Sequence, residues 1–285
     1  MVEAGPYRKK GFSGARSACS LDRQTRLASG AVAGCAEVPG PACIMNPFKA
    51  IARRFLGTVI RVDTTESVVA LTFDDGPHPE YTPRLLNILD RHGARATFFM
   101  VGQLAAKYPD IVKEVAQHGH SIGNHSWDHP SFPSLNSKQR RQQIRQCSTV
   151  LAEGEKRLFR PPFGHQNMAS RIDAWAMGYD VIAWSILADD WLDHGAKVIF
   201  DTLSNRIKPG SIVLLHDSLF CTENGANLSR VSTLEAVDRL LTECADYDFV
   251  TVPELMNRGQ PIRKLWERHG DPEWLNRQKK WGDGS

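Results

Sequence analysis

Cysteine is sparse and unpatterned. The six cysteines stand at positions 19, 35, 43, 147, 221 and 244, with no C-x-x-C pair and no regular spacing. That argues against a disulfide framework and leaves room for one or two bridges. No apolar run approaches the roughly 18 residues of a membrane span. A convincing secretory signal is also lacking: Val32-Ala33-Gly34-Cys35 has the form of a lipoprotein cleavage box, but the apolar stretch before it is short and follows a long polar lead. A cytoplasmic location is therefore expected ahead of the cell envelope. Nor does one sign of charge prevail. The formal net charge of +3 is too small and too dispersed to make nucleic acid a partner.

What is present is the material of an ordinary enzyme. Hydrophobic residues make up 41% and charged residues 24% of 285, enough for a sizeable core and against global disorder. The length suits one large catalytic domain. Residues 1–44 are rich in Gly, Ala, Ser and Arg without periodicity, so 1–60 is expected to be a disordered or loosely packed extension. Within it Met45 offers an alternative start of translation. The basic amphipathic segment 49–56 reads as a helix at the base of the fold rather than on a membrane surface. A catalytic domain is expected over 61–257. The tail, 258–285, carries Trp266, Trp274 and Trp281, which are expected to pack on the domain rather than to bind sugar.

From residue 67 onward strand and helix patterns alternate. Strands are expected at 68–73, 96–101, 121–124, 158–160, 180–186, 211–215 and 249–252. Helices are expected after Thr82-Pro83, at 109–118, 138–152, 168–177 and 196–207, and at 234–244 with a capping box Ser232…Glu235. Gly93 and Gly119 act as helix stops. Seven strand–helix repeats without hairpin signals predict an α/β fold of parallel strands, closed as a barrel or opened as a doubly wound sheet.

Ionisable residues follow successive strands: Asp74 and Asp75, His125 and His129, Arg160, Asp190, His216. In α/β barrels the C-terminal strand ends carry the site, so these side chains are expected to converge. His125 and His129 flank a loop closed by Pro130, and a catalytic metal site needs three N or O ligands with one position open. Asp75, from another strand end, can complete it. Two adjacent carboxylates at the end of a buried strand repel unless a cation offsets them. One can bind the metal while the other takes a proton from water.

The segments 72–77 (Thr-Phe-Asp-Asp-Gly-Pro), 125–130 (His-Ser-Trp-Asp-His-Pro), 160–164 (Arg-Pro-Pro-Phe-Gly), Asp190-Trp191 and 214–217 (Leu-Leu-His-Asp) resemble, in order and spacing, five motifs of the polysaccharide deacetylase family of carbohydrate esterases, the NodB homology domain. The resemblance spans about residues 66–255 and implies a distorted (β/α) barrel of about seven strands that removes acetyl groups from N-acetylated glycans. It implies Asp75, His125 and His129 as ligands of a divalent metal, zinc first, with cobalt or nickel in some members. Asp74 would be the general base, positioned by Arg160, and His216 the general acid, held by Asp190. Leu214 would line the acetyl pocket, Trp191 would form an apolar wall, and Phe163 would lend its backbone N–H to the oxyanion. Trp127 and His165 are further candidates for the groove wall. One departure stands out: the family's fourth motif has a second aspartate three residues before Asp190, and here that place holds Leu187.

Two other readings compete. A related hydrolase could act on a small cyclic or non-sugar amide, because function rests on the site and not on the fold. A non-catalytic carbohydrate-binding barrel is the other, and it is disfavoured because base, acid and ligands are all kept.

Overall fold

The computed structural model describes residues 55–269, apart from 152–153, 193 and 222–227. The lipoprotein-like box, Met45, most of the basic segment, Trp274 and Trp281 lie outside the described residues.

The strands are β1 (Thr58–Asp63), β2 (Val68–Asp74), β3 (Ala96–Met100), β4 (Ser121–Asn124), β5 (Glu155–Phe159), β6 (Asp180–Val181), β7 (Ile186–Leu187), β8 (Ile212–His216), β9 (Asp248–Phe249) and β10 (Gln260–Lys264). The helices are α1 (Tyr81–Arg91), α2 (Gly102–Lys107), α3 (Pro109–Gln117), α4 (Ser137–Leu151), α5 (Met168–Ala176), α6 (Ala196–Ser204), α7 (Val231–Glu243) and α8 (Val252–Asn257). Seven parallel strands run in the order β6-β5-β4-β3-β2-β8-β7, with β9 beside the start of β2. They curl into a half-barrel with helices outside. β2 and β3 are buried along their whole length, as strands covered on both faces must be.

Side-chain alternation explains where the chemistry lies. Val69, Leu71 and Phe73 of β2, with Val213 and Leu215 of β8, join Leu85, Leu86, Leu89 and Leu240 in the layer between sheet and helices. Val68 and Ala70, with Ile212 and Leu214, join Phe99, Leu158 and Ile182 in the barrel interior. With a period of two, Thr72, Asp74 and His216 continue the interior set.

The expected strand at 180–186 is two strands at opposite edges of the sheet. β6 pairs with β5 and β7 pairs with β8, so residues 182–185 cross the open side of the barrel. β1 lies against this seam, bridging Val59 to Ile182 and Arg61 to Ser211, and it pairs antiparallel with β10. Trp266 packs edge-on against Trp184 at 5.4 Å, so this tail tryptophan does lie on the domain. The helix starts also differ from expectation. α1 begins one residue before Thr82 with Glu80 as its cap residue, and α7 begins at Val231 after Arg230 without the Ser232…Glu235 box. Capping boxes occur instead at Asn167/Ser170 and Thr251/Glu254.

Candidate active site

Asp74 ends β2 inside the barrel, and the next residue leaves the strand: Asp75 has φ 73°, a left-handed conformation that costs an L residue energy. This bend gives neighbouring carboxylates different surroundings. Asp74 Oδ1 accepts from Arg160 Nη1 at 2.7 Å. Arg160 is fully buried, donates also to Thr72 Oγ1 (2.7 Å) and the Ala183 carbonyl (3.0 Å), and lies 4.1 Å from the centre of the Phe99 ring.

Asp75 faces the two histidines. Its Oδ1 lies 3.4 Å from His125 Nε2 and 3.1 Å from His129 Nε2, and the three ligand atoms fall within 4.8 Å of one another. Its Oδ2 accepts the Phe220 backbone N–H at 3.1 Å. The loop that supplies the histidines turns back sharply, with Ser126 at φ 70° and His129 at φ 60°. Asn124 accepts the Ser126 N–H and Ser126 Oγ accepts the His129 N–H.

These residues fit a divalent cation. His125 Nδ1 donates to the Arg160 carbonyl at 2.7 Å, which fixes the ring and leaves Nε2 as the ligand atom. Two imidazole nitrogens and a carboxylate oxygen then meet in a buried space, a donor set suited to an open catalytic site. The protonation pattern agrees. Burial opposes both charges, yet Asp75 is held well below the usual carboxylate range by His129 and by hydrogen bonds from both imidazoles. Asp75 in turn raises His129, so positive charge is favoured at this point.

Across the β2–β8 ladder from Asp74, His216 Nδ1 lies 2.9 Å from Asp190 Oδ1, and its backbone N–H donates to Asp190 Oδ2 at 2.9 Å. Burial works against the imidazolium, but the Asp190 charge and hydrogen bond push His216 up to about 9. Trp191 stands edge-on to His216 at 5.6 Å. The Phe163 ring lies 4.3 Å from that of His129, on a backbone at φ 58°. Leu214 sits in register with Thr72 and with Leu187.

A model of the family described as polysaccharide deacetylase matches residues 61–182. The chain is 37% identical over 201 residues to a peptidoglycan-N-acetylglucosamine deacetylase of Bacillus cereus, covering 68% of this chain and 91% of that one. It is 35% identical over 219 residues to a chitooligosaccharide deacetylase of Azorhizobium caulinodans, covering 74% and 98%. A crystal structure of a peptidoglycan N-acetylglucosamine deacetylase in complex with a naphthyl N-hydroxybenzamide superposes with a TM-score of 0.66 at 30% identity, covering 75% and 99%. The chain belongs to the polysaccharide deacetylase family.

The departure from the polysaccharide deacetylase pattern at Leu187 takes a simple form: the residue extends β7 and packs partly buried in the interior apolar cluster. Trp127 packs against the first residue of α2. A Cβ placed on Gly102 would meet its ring at 2.6 Å and Cys147 at 3.0 Å, so the ring fills the space between α2 and α4. His165 is buried beside Ser131 (3.1 Å) and Phe163 (5.3 Å), and burial, with Arg268, lowers it to about 4. Sequence reasoning missed Arg230 and Thr233, which donate to the Asp190 carbonyl (3.0 Å) and to Asp190 Oδ2 (3.1 Å). It also missed Phe220. The interval of 40 residues between Arg230 and Asp190 leaves no local pattern by which to pair them.

Proposed function

We propose that this chain hydrolyses the N-acetyl group of N-acetylglucosamine units in an oligo- or polysaccharide. The observation that carries the reading is the convergence of the Asp75, His125 and His129 cluster, the Arg160-bound Asp74 and the Asp190-bound His216 at adjacent strand ends. Asp75, His125 and His129 would hold a divalent ion, zinc in our reading, with cobalt or nickel compatible with the same donors. When bound, that ion supplies Lewis acidity, polarising the acetyl carbonyl and lowering the pKa of water to about 7.

The protein's own groups do the rest. Asp74, with Oδ1 engaged by Arg160, takes a proton from the water that attacks the carbonyl carbon. The backbone N–H of Phe163 stabilises the developing oxyanion, a contribution of a few kcal/mol for such donors. As the C–N bond breaks, the leaving amine takes its proton from His216, and acetate and the free amine result. Leu214 lines the space for the acetyl methyl and Trp191 the adjacent wall. The relatives named above, peptidoglycan and chitooligosaccharide deacetylases, support an N-acetylated glycan as substrate.

Acetate release from a panel of N-acetylglucosamine oligomers tests this. Release that stops with chelator and returns with zinc or cobalt is expected. Release from small cyclic amides alone, or from nothing in the panel, would sink the reading.

A further inference from the structure

Thr82, one residue inside α1, has work other than capping. Its Oγ1 accepts the His78 backbone N–H at 2.8 Å and donates to Asp217 Oδ2 at 2.5 Å, across 135 residues. Both side chains are buried. The Asp217 carboxylate also lies against the backbone of Gly76: a Cβ there would sit 2.4 Å from Oδ2 and 2.5 Å from Oδ1. Glycine is required at 76 for space, since only that residue lets the carboxylate approach.

The β2–β8 ladder ends at the pair Asp74 and His216. One residue on, Asp75 turns out of the strand at φ 73°, so ladder hydrogen bonds no longer fix the turn through 75–78. The backbone N–H groups of Val101 and Phe220 also reach this turn, at the Gly76 carbonyl and Asp75 Oδ2, and the two imidazoles hold the Asp75 carboxylate. Asp217 follows the acid directly in the chain and reaches the turn through Gly76 and, by way of Thr82, through His78. We propose that Asp217 and Thr82 form a positioning pair that locks the turn bearing a metal ligand, next to the base, to the strand end bearing the acid. Neither residue touches the reacting atoms. Their effect passes through Asp75 and Asp74, and a misplacement of about 1 Å at such groups can cost on the order of a hundredfold in rate.

The test measures zinc affinity by titration of the metal-free protein, with kcat and KM for acetate release alongside. Asp217→Ala and Thr82→Val should each weaken zinc binding by about tenfold to a hundredfold, as loss of outer supports of a metal site does, and lower kcat more than they raise KM. Asp217→Asn keeps an acceptor oxygen for Thr82 and should return zinc affinity to within about threefold of the parent. The Asp217→Ala, Thr82→Val double variant should be no worse than the poorer single, because one device is removed twice. Zinc affinity and kcat within about threefold of the parent in both single variants, or losses that add in the double, would overturn the proposal. Should Asp217→Ala fail to fold, the near-isosteric Thr82→Val variant decides alone. The turnover arm rests on the deacetylase reading and the zinc arm does not. A parent that releases no acetate but shows the expected zinc losses therefore refutes that reading and leaves the clamp standing.

Discussion

Asp74 and Asp75 are adjacent in the chain and differ in surroundings because one keeps the strand conformation and the other abandons it. The alternation of β2 carries Asp74 inward onto Arg160, and the left-handed turn delivers Asp75 to the imidazoles. Substitution should separate their roles. Asp74→Asn is expected to lower kcat by on the order of a hundredfold to ten-thousandfold, the range for a positioned base, with zinc affinity near that of the parent. His125→Ala should lose zinc binding and turnover together. Metal titration beside acetate release distinguishes the two. The proposed acid, His216, gives a signed pH dependence. His216 is raised to about 9 by Asp190, so the protonated donor persists to alkaline pH and turnover falls as pH rises through that value. A dication nearby lowers the limb in parent and variant alike, so the difference between them is diagnostic. Asp190→Asn should move the alkaline limb of kcat/KM to lower pH, toward the ordinary histidine value, and a limb that stays in place would refute the assignment.

Elements whose pattern is local were legible in the sequence, and elements fixed by distant partners were not. β4 coincides with its expected range and β2, β3 and β8 lie within a residue of theirs, because buried parallel strands are unbroken apolar runs punctuated by Gly and capping residues. The converging site residues were legible for the same reason, since each lies at the end of a strand or in the loop just after one. β1 and β10 are short, mixed in polarity and paired across about 200 residues, which no local periodicity records. The run 180–186 looks like one strand, since nothing local reveals that its two ends join opposite edges of the sheet. Thr82 resembles a cap until Asp217 is seen beside it. The β1–β10 ribbon also predicts a stability effect. Ending the chain at residue 258 removes β10 and the Trp266 contact. The expected loss is about 2–3 kcal/mol, a fall in Tm of roughly 4–12 °C for a domain of this size, read by thermal unfolding.

At the scale of the whole molecule, the half-barrel brings groups more than 140 residues apart into one buried cluster, and a metal held by the proposed ligands from separate strands would couple the site to folding. Zinc at a hundredfold excess over its Kd should add about 2.7 kcal/mol of stability. Chelation should then lower Tm by roughly 5–11 °C, and Asp75→Ala should abolish that dependence on added metal.

The crossing segment has a reach beyond its length. Ile182 and Ala183 offer their carbonyls to the Arg160 guanidinium, while the Ala183 N–H donates to the Val59 carbonyl at 2.7 Å. The stitch that closes the barrel's torn side is thus tied, two bonds on, to Asp74, the carboxylate proposed as the base. Loosening β1 there should slow turnover before it loosens the grip on zinc, so damage at this seam would be felt first at Asp74.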